Sequence, residues 1–131
     1  MKKKPGYAPF SQSIRCAIYA RTATVKRPNE NNSISHQVAV CKRFARGRGW
    51  IVKKDIIFTD SGRSGLTINS GLNDLLRATA VNPKPFGVLL CTSIDRIARD
   101  TSLVIWICET LSKHGVEIWF AEPECVGAVG K

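Results

Sequence analysis

The sequence contains no long apolar run and few acidic residues, and both absences narrow the possible functions. No stretch approaches the roughly 20 apolar residues that a helix needs to span a bilayer. The opening segment MKKKPGYAPF also lacks the apolar region that a secretory signal carries after its lysines, so we expect a cytoplasmic protein. Ten Asp and Glu residues stand against 20 Lys and Arg residues among 131, giving a formal net charge of +10. This charge favours a polyanion, either nucleic acid or an anionic membrane surface, and does not choose between them.

The cysteines lack the spacing of a metal site or of a disulfide framework. They are five in number, widely separated and without a Cys-x-x-Cys pair, and the sequence holds only two histidines. This pattern predicts reduced thiols in or near the core and no metal site. The residues concerned are Cys16, Cys41, Cys91, Cys108 and Cys125.

Apolar segments alternate with segments of helical spacing along most of the chain. CAIYA, WIVKKDIIF, FGVLLC and VEIWF are typical of strands, and FGVLLC is apolar enough to be covered on both faces of a parallel sheet. Helical spacing follows Ser33, a plausible N-cap, until Gly47 and Gly49, and recurs in LNDLLRATA and TSLVIWICETLSKHG. We therefore predict a three-layer α/β domain over residues 14–131, with a mainly parallel sheet of four to five strands flanked by helices. Residues 1–13 are predicted to be a flexible basic tail.

Charged residues follow three of the predicted strands directly. They are Arg21, Asp60, Asp95, Arg96 and Arg99. Ligands of open parallel sheets bind at the carboxyl ends of the strands, and guanidinium groups match phosphate oxygens, so a phosphate-containing ligand is expected there. Two blander interpretations stay open: Arg21 can be a structural arginine, and Asp95 with Arg99 can be an exposed pair one helical turn apart. A small phosphate-ligand enzyme of flavodoxin-like shape, with a closed pocket at the same edge, is a further alternative.

In order and spacing, these segments resemble the catalytic domain of the serine recombinases, the resolvase and invertase family. CAIYAR resembles the family's opening strand with its Tyr-x-Arg-x-Ser motif, and SISHQ resembles the following helix start with its glutamine. FTDSGRSG resembles the Asp-x-x-x-Ser-Gly loop, and GL at Gly71 resembles the start of the next helix. SIDRIARD resembles the Leu-Asp-Arg-Leu-x-Arg signature, and LSKHGVEIWF the helix end and strand that follow. The resemblance covers about residues 15 to 122.

The resemblance implies a resolvase-like fold and a reaction on DNA without metal or cofactor. In the family a serine hydroxyl attacks a phosphodiester, forming a 5′-phosphoserine link and freeing a 3′-hydroxyl, while arginines neutralise the phosphoryl oxygens. Arg96 and Arg99 would hold the scissile phosphate, and Asp95 would orient an arginine or assist proton transfer. The matching positions are Arg21, Asp95, Arg96 and Arg99 as catalytic residues, and Tyr19, Gln37, Asp60 and Asn69 as phosphate- or DNA-binding residues.

The sequence departs from the family where the chemistry takes place. The serine position holds Ala23, the family's usual arginine before Gly-Leu is Asn69, and a frequent lysine is Ser93. A methyl group cannot attack phosphorus, and on an extended strand the neighbouring Thr22 and Thr24 should face away from the Ala23 side. The sequence therefore predicts a recombinase domain impaired in strand cleavage, and it leaves open whether the chain is an enzyme.

The resemblance also implies the partners. These are DNA and, in a full-length protein, further copies in a homodimer and tetramer, with neither a membrane nor a small-molecule cofactor. Family members continue into a long dimerisation helix and a DNA-binding domain, neither of which is expected within this chain. The alternative function is a non-catalytic DNA-binding or oligomerising module that regulates an active recombinase.

Overall fold

The computed structural model describes residues 14–22, 33–61, 70–81, 83–122 and 127–129, which form five strands and three helices. The strands are β1 (Cys16–Thr22), β2 (Ile57–Ser61), β3 (Val88–Cys91), β4 (Glu117–Phe120) and β5 (Gly127–Val129). The helices are α1 (Ile34–Gly47), α2 (Ser70–Ala78) and α3 (Thr101–Lys113), and 3₁₀ turns lie at Lys54–Ile56 and Ile94–Arg96. The predicted basic tail, Ala23 and Asn69 lie outside the described residues.

One five-stranded sheet organises the domain, in the spatial order β2-β1-β3-β4-β5. The first four strands are parallel, and β5 pairs antiparallel with β4 at the edge. The parallel pairing follows from the connections, because each link between these strands contains a helix that crosses one face of the sheet. The predicted fold class is confirmed.

The helices cover the two faces of the sheet and complete the three layers. On one face, Cys16 and Ile18 pack with the buried Cys41 and Ala45 of α1. On the other face, Ala17 and the alternate residues of β3 and β4 pack with α2 and α3 through Leu72, Leu75, Ile107 and Leu111. Every residue of β1 is buried, as expected for a central parallel strand.

Helix α1 begins and ends where its capping residues predict. The Ser33 side chain accepts a hydrogen bond from the His36 amide at 3.1 Å, which satisfies one of the unpaired donors of the first turn. Gly49 adopts a φ of 76°, and the amides of Gly49 and Trp50 donate to the carbonyls of Arg46 and Ala45. This is a Schellman motif, which reverses the chain at the helix end. Gly47, predicted as a stop, is the last residue of the helix itself.

The predicted strand WIVKKDIIF is wrong in its first half. Ile51 forms only an isolated bridge with Arg15, a 3₁₀ turn follows at Lys54–Ile56, and β2 begins at Ile57. The lysines and the aspartate of the turn are exposed, so burial does not hold that stretch extended. Among the described residues no helix combines the length and the hydropathy required to cross a membrane.

Candidate active site

Arg21 ties the end of β1 to the turn that follows β3. Its side chain is only 1% exposed, and its Nη2 and Nε atoms donate to the carbonyls of Asp95 at 2.5 Å and Arg96 at 3.3 Å. In return, Nη1 of Arg96 donates to the Arg21 carbonyl at 3.2 Å. The strand end and the 3₁₀ turn at Ile94–Arg96 therefore hold each other through side chain to backbone bonds in both directions.

Gln37 fixes the backbone of Arg21 from the first turn of α1. Its Oε1 accepts from the Arg21 amide at 3.2 Å, and its Nε2 donates to the Arg21 carbonyl at 3.0 Å. The ladder between β1 and β3 ends at the Ile18 and Leu90 pair, so the amide side chain pairs with backbone groups beyond the last strand partner on that side. Gln37 is itself 1% exposed, and a buried amide with both ends paired holds the strand end rigidly.

Asp60 joins β1, β2 and the start of α2. Its Oδ2 accepts from the Tyr19 hydroxyl at 2.7 Å and from the Leu72 amide at 3.0 Å, and its Oδ1 accepts from the Gly71 amide at 2.8 Å. A carboxylate at this position satisfies two of the unpaired amides of the helix N-terminus and lies at the positive end of the helix dipole.

Glycine is required at position 71 by this close approach. A Cβ there would lie 2.3 Å from the carbonyl oxygen of Thr59 and 2.9 Å from a carboxylate oxygen of Asp60. Both contacts are shorter than real side chains show, and the nearer one is to backbone. The absence of a side chain is what lets α2 begin against the end of β2.

Burial changes the acid–base properties of the two largest polar side chains of β1. Burial, and then the hydrogen bond to Asp60, raises the pKa of Tyr19 well above its usual value, so the phenol stays protonated. Burial is also the main cause that lowers the pKa of Arg21, and the positive charges of Arg99 and Arg96 add to it. The negative charge of Asp95 acts in the opposite direction. The positive charges of Arg96 and Arg99 therefore act on Arg21 at the same edge of the sheet.

The charged residues after β3 do not form an α-helical turn. Residues Ile94–Arg96 are a 3₁₀ turn, and α3 begins only at Thr101, after the Asp100 side chain has accepted a hydrogen bond from the Ser102 amide. The interpretation of Asp95 and Arg99 as a pair one helical turn apart is therefore wrong. The Asp95 carboxylate instead accepts from the hydroxyl of Ser93 at 2.5 Å.

The structure brings together at the carboxyl edge every predicted site residue that it describes, and it separates them by depth. Tyr19, Arg21, Gln37 and Asp60 are 3% exposed or less, Arg96 is half-buried, and Asp95 and Arg99 are exposed. The deep residues hold strand ends and helix starts, a role that their residue types alone did not indicate. The sequence analysis missed the capping of α2 by Asp60, because its partners lie 11 and 12 residues away and no local pattern marks them.

The thiols of the described residues are free and largely buried. Cys16, Cys41 and Cys91 are buried free thiols, and Cys108 is a half-buried one. Burial raises the pKa of Cys16 to about 12, so at neutral pH it is a packed apolar group and no nucleophile. In the part of the chain that the structure describes, no group of three His, Cys, Asp or Glu side chains could hold a metal ion.

Fold and site together define an α/β domain whose arginines converge at the carboxyl edge of a parallel sheet. Comparison with known families identifies the particular one. The family description "Resolvase, N terminal domain" matches residues 16–127, and the chain belongs to this family of serine recombinase catalytic domains. No curated protein sequence matches the chain significantly.

Solved structures of recombinase domains share the fold. The chain is similar to the C-terminal catalytic domain of ISC1926 TnpA, an IS607-like serine recombinase, at 26% identity and a TM-score of 0.69, over 83% of this chain and 70% of that one. It has the fold of the N-terminal catalytic domain of TP901-1 integrase, at 24% identity and a TM-score of 0.73, over 82% and 77% of the two chains. It also has the fold of a resolvase family site-specific recombinase from Streptococcus pneumoniae, at 21% identity and a TM-score of 0.73, over 91% and 78%. Membership of the family decides against the flavodoxin-like alternative.

Proposed function

We propose that this recombinase domain binds a DNA phosphate at the carboxyl edge but does not form the covalent link to DNA that the family reaction requires. The observation that carries the proposal is Ala23, which follows the buried Arg21 and Thr22 in sequence at the position of the family's serine. Covalent catalysis needs an oxygen whose lone pair forms the bond to phosphorus while the bond to the leaving 3′-oxygen breaks. A methyl side chain has no such lone pair.

The phosphate itself would be held by the outer residues of the site. Arg96 and Arg99 are the guanidinium groups nearest to solvent, and a permanent positive charge there neutralises phosphoryl oxygens. Arg21 is fully buried and donates to the backbone of Asp95 and Arg96, so we assign it as a positioning residue. Gln37 and Asp60 would act indirectly. Gln37 fixes the backbone of Arg21, and Asp60 fixes the start of α2.

Neither Thr22 nor the buried thiols offers a substitute for the missing hydroxyl. Thr22 is 8% exposed and its backbone is paired with Ser61 in the sheet ladder, so little of it is accessible to DNA. The buried thiols stay protonated at neutral pH, because burial raises the pKa of Cys16, Cys41 and Cys91. Asn69 brings no charge where the family has arginine, which further weakens stabilisation of the transition state.

A test for covalent adducts separates binding from chemistry. The whole chain is incubated with a pool of nicked duplexes of random sequence, denatured, and examined for a protein–DNA adduct by gel and intact mass. We expect no adduct from the unsubstituted chain, whereas Ala23→Ser combined with Asn69→Arg is expected to give one. An adduct on the unsubstituted chain would overturn the proposal. Absence of an adduct from the double variant would contradict the assignment of Ala23 and Asn69 as sufficient causes of the inactivity.

The binding half of the proposal has its own measurement. Replacement of Arg96 and Arg99 by glutamine should weaken binding of a short labelled duplex and reduce the salt dependence of log K by roughly 2, since each phosphate contact contributes about 0.9. The matched control replaces Arg77 and Lys113, two exposed basic residues on α2 and α3, and removes the same charge. Equal effects of the two pairs would mean that the carboxyl edge is not the phosphate site.

A further inference from the structure

A second concentration of positive charge lies at the end of α1 and the segment that follows it. Residues 42–54 contain six basic residues and no acidic one. They are Lys42, Arg43, Arg46, Arg48, Lys53 and Lys54, and each is exposed. Basic residues near the last turn of a helix complement its dipole, which accounts for one or two of them and leaves the rest unexplained.

The charge surrounds a formed groove with an aromatic wall. A groove of about 420 Å³ is lined by Lys42, Arg46, Gly49, Trp50 and Val52, and we call it the basic groove. The Lys42 ammonium and the Arg46 guanidinium, one helical turn apart, therefore line the same groove as the indole ring of Trp50. The Schellman motif at Gly49 creates this arrangement, because it turns the chain back so that Trp50 follows directly on the helix end.

An aromatic cluster beside the groove holds a further guanidinium in place. The rings of Phe44, Trp50 and Trp119 pack together, and the two indoles are 5.4 Å apart at 76°. The Arg48 guanidinium lies 4.4 Å from the centroid of Trp119 and 5.2 Å from that of Trp50. An arginine that stacks on rings has already lost part of its side-chain freedom, so it loses little more when it binds a ligand. Nε1 of Trp119 donates a hydrogen bond to the carboxylate of Glu117 at 3.0 Å.

The groove is separate from the carboxyl edge. Gln37, at the start of α1, contacts Arg21 at the end of β1, whereas the amide of Ile51 donates to the carbonyl of Ile14 just before β1 begins. From Gln37 to Arg46 the helix rises by roughly 14 Å at 1.5 Å per residue. That distance is less than half of the roughly 34 Å of one duplex turn, so one bound duplex could contact both places.

We propose that the basic groove is a second, sequence-independent contact for the phosphate backbone of DNA, remote from the catalytic edge. Lys42 and Arg46 would bind phosphates, Arg48 would contribute a preorganised guanidinium, and Trp50 would report the contact. A basic groove with aromatic rings is the composition that proteins use to follow a nucleic-acid strand. The proposal does not depend on whether the domain cleaves DNA.

The test compares two double variants that lose the same charge. Lys42→Gln combined with Arg46→Gln should weaken binding of a short labelled duplex on the order of tenfold at low salt and lower the salt dependence of log K by roughly 2. Arg77→Gln combined with Lys113→Gln, on other exposed helix faces, should leave the salt dependence close to that of the unsubstituted chain. Equal behaviour of the two variants would overturn the proposal. Because the Arg96 and Arg99 variants are measured separately, failure here is distinguishable from failure of the carboxyl-edge site.

Tryptophan emission gives an independent readout of the same contact. Trp106→Phe leaves Trp50 and Trp119, both in the aromatic cluster, as the only indoles of the chain. Addition of duplex DNA should then change their emission, and the change should disappear when Lys42 and Arg46 are also replaced. Emission that does not respond to bound DNA would contradict the proposal. The proposal would also be contradicted if the Lys42 and Arg46 variant lost self-association and kept its DNA affinity. The groove would then bind a second copy of the chain.

Discussion

At the scale of single residues, the carboxylate of Asp60 holds several elements of the site together. It accepts three hydrogen bonds, from the Tyr19 hydroxyl and from the amides of Gly71 and Leu72, while it is 3% exposed. A buried carboxylate is costly unless its oxygens accept hydrogen bonds, and here the donors come from β1 and from the first turn of α2. The order of β1, β2 and α2 at the site therefore depends on one side chain.

Removal of the Tyr19 hydroxyl should measure this dependence. We expect Tyr19→Phe to lower the free energy of unfolding by about 1.5 to 3 kcal/mol, the usual worth of a hydrogen bond to a charged group. Urea unfolding of this variant, of Asp60→Asn and of the double variant gives the coupling energy between the two side chains. Effects of the single variants that simply add would contradict the coupling that the 2.7 Å contact implies.

The residues of the site differ in how far the sequence could reveal them. Arg21, Asp95 and Arg96 could be placed from sequence, because each follows a recognisable apolar strand and parallel strands share a carboxyl edge. Their burial could not be predicted from sequence, because Arg21 is held in the interior by two carbonyls more than 70 residues away. Gln37 is similar: the sequence placed it on a helix start, but only the folded chain shows that its amide pairs with the backbone of β1.

At the scale of elements, the end of α1 links secondary structure to surface chemistry. Residues 45–50 complete the helix, reverse the chain and place Trp50 in the aromatic cluster. The sequence predicted the helix end from its glycines, because a positive φ favours glycine whatever the surroundings. It did not predict the cluster, because Trp119 comes from a strand 69 positions after Trp50.

Two glycines two positions apart at this helix end should respond in opposite ways to alanine. Gly49 has a φ of 76°, so Gly49→Ala should destabilise the domain by about 1 kcal/mol and shift the Trp emission. Gly47 lies within the helix and an added Cβ meets nothing within 4 Å, so Gly47→Ala should stabilise by about 0.5 to 1 kcal/mol. Thermal or urea unfolding measures both changes in stability. Equal effects at the two positions would contradict the Schellman geometry.

At the scale of the whole molecule, the topology was the most predictable feature and the edges were the least. Alternation of apolar strands and helices requires a parallel sheet with helices on both faces, and the central strands β1 and β3 are wholly buried. The failure in WIVKKDIIF occurs at the sheet margin, where half-exposed residues leave the backbone free to form a turn. Antiparallel β5 continues the sheet beyond β4, in a segment whose sequence, GAV, has no strand pattern of its own.

The buried thiols and the phenol of Tyr19 give the whole domain a predictable sensitivity to alkali. Burial raises the pKa of Cys16 to about 12 and also raises the pKa of Cys41, Cys91 and Tyr19 above their ordinary values. Above about pH 9 the unfolded chain loses thiol protons that the folded chain keeps, so the folded state binds more protons and stability falls as pH rises.

Between pH 8 and pH 10.5 this loss should reach about 2 kcal/mol for each fully buried thiol, since 1.36 kcal/mol accompanies each pH unit above the unfolded pKa. Urea unfolding across this range measures the loss of stability, and Cys16→Ala is the matched variant. Because this variant lacks one buried thiol, its stability should fall less steeply with pH. Parallel pH profiles for the variant and the unsubstituted chain would mean that the Cys16 thiol ionises equally in both states. That result would contradict its position at 0% exposure between the sheet and α1.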